Sequence, residues 1–218
     1  MPTFVNNLRL KEMATGEETG TWGTSTNANL ELIADALGFG TEALPDASTH
    51  TTTVLDGGAD SARAIYQIYT GSLSQACTIT IAPDDMKRVH IIKNGTTGSQ
   101  NILIKQGSGV GAAVTIPPGD TKVVSLDGGG SSAIVTDVFA SLSVVDLKAT
   151  GDITVTDDLT VGDDLLLNSD SSLISLGAGA DATLTHDGTT GLTIAATPIS
   201  IDSTGELHLN STTGDIKL

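Results

Sequence analysis

"CTITIAPDDMKRVHIIKNGTTGSQNILIKQ", residues 77–106, holds three runs of β-branched and aliphatic residues separated by two clusters of turn formers. "CTITIA", "KRVHIIK" and "NILIKQ" alternate apolar and polar positions, the period of a half-buried strand, while "APDD" and "NGTTGS" collect Pro, Asp, Asn and Gly. The same grammar extends outward on both sides. "AIYQIYT" (64–70) precedes the stretch, and "AAVTI" (112–116), "TKVVSL" (121–126) and "SAIVTDV" (132–138) follow, divided by "GSGVG", "PPGD" and "DGGGSS". Seven short strands at about 10-residue spacing predict a mainly β protein with an antiparallel β-sandwich over residues 51–139.

Before this block, residues 1–50 form an extended leader rich in Gly, Thr and polar residues. One short helix is expected in "NANLELIADALG" (27–38), with Asn27 as N-cap, Gly38 as stop, and Leu30, Ile33 and Leu37 on one stripe. A helix of that length does not persist alone, so its stripe must dock. Trp22 and this stripe are the leader's only concentrated apolar surface, which predicts a segment ordered mainly by its partner.

After Phe139 no aromatic residue occurs. "GDITVTDDLTVGDDLLLN" (151–168) pairs Ile153 with Val155, Leu159 with Val161 and Leu165 with Leu167 every six residues, each pair behind an acidic turn. The pairing returns as Leu192 with Ile194 and Leu207 with Leu209. Each phrase buries about two side chains at roughly 1.5–3 kcal/mol each. Ordering its backbone costs roughly 1–2 kcal/mol per residue, so a single copy gains almost nothing. A hexapeptide β-helix needs roughly three or more stacked repeats, and only three phrases keep strict period, about one turn. Residues 140–218 are therefore expected to form an intertwined β-shaft in a homotrimer, with those ten aliphatic residues at the trimer interface.

Charge narrows the partners. The chain carries a formal net charge of −16, of which residues 149–218 hold −10. Nucleic acid and membrane insertion are poor fits, since phosphate binding needs clustered Lys and Arg, and no apolar run approaches the roughly 18 residues of a span. The start lacks the continuous apolar segment of a signal peptide, and Cys77 as the only cysteine fits synthesis in a reducing cytoplasm.

Motifs for chemistry are weak. "GSGVG" (107–111) leads into a strand and not a helix, so it reads as a hairpin turn and not a phosphate loop. "HDGTTG" (186–191) reads as a turn, "GAGADATL" (177–184) has no tandem copy to share calcium, and His50, His90, His186 and His208 are scattered. No catalytic residue, metal or cofactor is expected, and the protein is not expected to be an enzyme.

"ETGTWGTSTNANLELI" (18–33) resembles the attachment segment of bacteriophage tail fibre proteins, particularly those of marine and cyanobacterial short-tailed phages: a Thr/Gly run, Trp-Gly, then Asn-x-Asn leading into an apolar helix. Trp22, Gly23, Asn27, Asn29, Leu30 and Ile33 carry it, and with Leu37 they are the expected tail-attachment residues. The middle block and the repeats after residue 150 are similar in style to the sandwich and shaft of such fibres. The resemblance implies a structural virion protein, a homotrimer held at its N-terminal part by the tail's adaptor and nozzle proteins. The host receptor would be met only through a distal region, because "GDIKL" closes the sequence without a globular tip. The competing expectations are a polysaccharide-degrading tailspike, a hexapeptide acyltransferase and a non-phage trimeric adhesin.

Overall fold

The computed structural model describes residues 3–166 except 110 and 164. The chain divides into two compact units, Met1–Thr150 and Gly151–Leu218.

The described residues of the first unit are mainly strand, with a single α-helix. Helix α1 spans Trp22–Ala36 and is followed by β1 (Phe39–Ala43), β2 (Thr49–Thr53), β3 (Tyr66–Thr70), β4 (Cys77–Ala82), β5 (Lys87–Asn94), β6 (Ile102–Gln106), β7 (Val114–Ile116), β8 (Thr121–Asp127) and β9 (Val135–Asp137). All seven expected strands are present as β3 to β9. Residues 39–53, of which 39–50 fall in the expected leader, add two more.

The pairing departs from the antiparallel expectation. One sheet has the order β1-β3-β5-β8-β9 and the other β2-β4-β6-β7. β1, β3 and β5 run parallel, as do β2, β4 and β6; only β7, β8 and β9 pair antiparallel. Both sheets are therefore mixed. The chain alternates between them, so that Phe39 aligns with Tyr66 and then Ile91, while Cys77 aligns with Ile102. Parallel neighbours cannot be joined by a tight turn, and here a strand of the opposite sheet serves as the crossover. Alternating burial is the same for either pairing, and a cluster such as "NGTTGS" can turn a hairpin or a corner between sheets. The sequence pattern therefore does not distinguish them.

One apolar core draws on both sheets: Tyr69, Ile92, Val124 and Leu126 from the first, Cys77, Ile79, Ile81, Ile102, Ile104 and Ile116 from the second. The corners are closed by buried amides. Asn94 donates from Nδ2 to the Gln100 and Ile116 carbonyls (both 3.0 Å), and its Oδ1 accepts from the Thr96 hydroxyl (2.6 Å) and amide (3.2 Å). Gln106 does the same between the Met86 carbonyl (2.8 Å) and the Gly128 amide (3.1 Å). Each satisfies backbone groups that a sheet corner would otherwise strand away from water.

The first coil is different inside. Facing inward on β1 and β2 are Gly40, Glu42, His50 and Thr52. Glu42 accepts from His50 Nε2 (2.6 Å) and from the Thr52 hydroxyl (2.9 Å), whose oxygen accepts from the buried Tyr69 phenol (3.0 Å). This chain of hydrogen bonds replaces apolar packing at the end of the core.

In the second unit the described residues form no helix or strand. Ile153, Val155, Leu159, Val161 and Leu165, expected at the trimer interface, are all exposed in the single chain. Leu167, Leu192, Ile194, Leu207 and Leu209 lie outside the described residues, as does the rest of the expected shaft beyond residue 166.

Candidate attachment surface

The leader is built onto the first unit by its own residues. Asn6 Oδ1 accepts from the Leu8 and Leu10 amides (3.2 and 2.9 Å), closing a turn that carries Arg9. Arg9 Nε meets Asp56 at 2.7 Å, its carbonyl accepts from the Gly57 amide (2.8 Å), and Asn7 Oδ1 accepts from the Lys87 amide (2.9 Å). Arg63, fully buried, is the central tie. Its guanidinium donates to the carbonyls of Leu8, Leu55 (2.7 Å) and Gly58 (2.8 Å) and pairs with Asp60 at 3.0 Å. Residues 7–9 thus have partners elsewhere in the unit, in contrast to the expectation that the leader is ordered mainly by another protein. These partners are far apart in sequence, Leu8 and Arg63 above all, so no local pattern announces them.

Helix α1 begins six residues earlier than expected. Thr21 stands at its N-cap without a side-chain cap bond, and Asn27 is an exposed position inside the helix and not its cap. The helix ends at Ala36 with Leu37 as C-cap, one residue before the expected stop at Gly38. Leu32 and Ala36 are its buried residues. Asn29 locks the helix to the leader: Oδ1 accepts from the Lys11 amide (3.0 Å) and Nδ2 donates to the Lys11 carbonyl (2.9 Å), a two-way bond like that between paired strands. The Lys11 ammonium, with the Ser25 and Thr21 hydroxyls, bonds to Glu18 and holds its carboxyl down at about 2.

The resemblance residues therefore separate into two groups. Asn29 faces the leader. Trp22, Leu30 and Leu37 are 64%, 57% and 75% exposed, and Ile33 is half-buried beside them. At 3.6 residues per turn these four fall within about 80° of the helix circumference, next to the buried side and away from Glu31. Gly23 is exposed on the first turn. The stripe named from the sequence is thus an outward apolar face, while docking is done by Leu32 and Ala36. Two apolar faces overlap in "NLELIADAL", and spacing alone does not say which one turns inward.

Among the described residues, Cys77 and His90 are buried and His50 is bonded to Glu42. Cys77 is fully buried and burial pushes its thiol up. His90 is buried and donates from Nδ1 to the Ala64 carbonyl (3.1 Å); burial, with the Arg88 charge, pushes it down to about 3. "GSGVG" links the antiparallel β6 and β7, and its Gly109 amide donates to the Ser131 carbonyl (2.7 Å). A depression of about 520 Å³ beside the helix C-terminus contains Asp35 and Asp60, and Asp60 is taken up by Arg63 and the Leu55 amide. Among the described residues no three His, Cys, Asp or Glu side chains gather to hold a metal ion, and no helix is long and apolar enough to cross a membrane.

Comparison with protein-family models, with curated proteins and with solved structures finds no match to this chain.

Proposed function

We propose that the chain is the proximal part of a homotrimeric bacteriophage tail fibre, a structural virion protein made in the host cytoplasm. On this reading the leader and helix α1 bind the tail's adaptor and nozzle proteins, the two sheets act as a sandwich-like spacer, and residues 140–218 wind with two further copies into a shaft. A distal region meets the host receptor.

The observation that carries the reading is the exposure of every described Val, Leu and Ile from Leu142 to Leu166, ten residues in an acidic segment. An exposed apolar series of this kind marks a surface that a partner covers, and short repeated phrases suit cover by identical copies. The resemblance of residues 18–33 adds the tail as the partner of the other end, and the outward Trp22, Leu30 and Leu37 supply the kind of apolar anchor such a joint requires. An interface Trp often accounts for roughly 2 kcal/mol or more, about a 30-fold change in affinity.

Phage carrying Trp22→Ala with Leu30→Asp in this gene product tests the reading. The purified fibre is expected to fold and assemble as before, and virions are expected to lack it. Normal incorporation of the variant fibre would place attachment elsewhere, and absence of the wild-type chain from virions would favour the adhesin reading.

A further inference from the structure

The outer face of the five-stranded sheet carries an unbroken apolar row. Phe39 pairs in register with Tyr66, Tyr66 with Ile91 and Ile91 with Val123. The Val138 amide donates to the Val123 carbonyl (2.9 Å), extending the row beyond β9. Phe39, Tyr66, Ile91 and Val123 alternate with the inward Gly40, Gln67, Ile92 and Val124 and so point outward, and Val138 is exposed. Ile68 and Val89 widen the row on either side.

Acidic side chains are nearly absent from this face. The outward positions of β1, β3, β5, β8 and β9 hold one carboxylate, Asp127, which stands opposite Lys87; Lys93 is the other charge. In a chain of net charge −16, a carboxylate-poor apolar face is where a second copy can approach without repulsion. The row also leads somewhere. From Val138 the chain passes directly into Phe139, Leu142, Val144, Val145 and Leu147, all exposed, and so toward the segment whose aliphatic residues need copies. Five strands at ~4.8 Å by about five residues at ~3.3 Å give roughly 400 Å² of sheet face. That is about half of the ~800 Å² each partner contributes to a standard interface, and the exposed residues that follow would add to it.

We propose that this face, centred on Tyr66, Ile91 and Val123, is covered by a second copy of the chain, so that assembly begins in the sheet unit and not only in the shaft. The proposal rests on the homotrimer reading above. It is tested with the full chain bearing one new cysteine, Thr136→Cys on this face or Thr51→Cys on the outer face of the other sheet. Cys77 is buried and gives no background. In the assembled protein, maleimide labelling is expected to be at least tenfold slower at position 136 than at 51, and Ile91→Asp is expected to abolish the difference. Equal labelling in a protein that light scattering shows to be assembled overturns this proposal alone and assigns the face to another partner. Protection that survives Ile91→Asp overturns it as well. A monomer overturns both this proposal and the trimer reading.

Discussion

Arg63 shows how much of this fold hangs on single polar side chains. It joins the leader to the loop between β2 and β3, and it does so with its charge fully withdrawn from water. Removing a buried, hydrogen-bonded charge strands its partners, so Arg63→Met is expected to cost about 3–5 kcal/mol in urea unfolding. Arg63→Lys should recover little, because an ammonium cannot reach three carbonyls and a carboxylate as a planar fork does. His90 sets a pH dependence of definite sign. Its folded-state value near 3 lies below the ordinary 6.5, so the unfolded chain binds the extra proton between those limits. Stability is complete above pH 6.5 and falls as the pH drops, by about 1.4 kcal/mol per unit. Urea midpoints measured from pH 7 to 5 should decline in the wild type and stay nearly flat in His90→Leu over the same range.

The corners between strands decide the sheets' order. A Cβ on Gly98, at φ +97°, would sit 1.9 Å from the Leu73 carbonyl oxygen, whereas Gly119, at φ +83°, has open space around it. Gly119→Ala should therefore cost only the backbone term, about 1–2 kcal/mol. Gly98→Ala should add about 1–3 kcal/mol for the displaced corner. Thermal melts of the two variants give the comparison. The strands from β3 to β9 were legible because Ile, Val and Leu alternate in them. β1 and β2 were not, since their inward residues are Gly40, Glu42, His50 and Thr52, joined by hydrogen bonds and invisible to a hydrophobic period. Parallel pairing was illegible for a related reason: the partner of each strand lies about one full coil away, and nothing in the intervening turn records it.

Two units with opposite needs make up the chain. The first closes an apolar core within itself, and on the proposal above copies cover only one of its faces. The second, over its described residues, has no interior at all. Helix α1 contributed its existence and its apolar stripe to the reading from sequence, but the direction in which that stripe points came from the tie between Asn29 and Lys11. The central claim is that the second unit exists only among copies. Multi-angle light scattering of the purified full chain tests it most directly, run beside Leu159→Asp with Leu165→Asp. The account predicts three copies of the 22.1 kDa chain for the wild type and loss of that assembly in the variant. A wild-type chain that stays at 22.1 kDa, fully folded through its second unit, would contradict it.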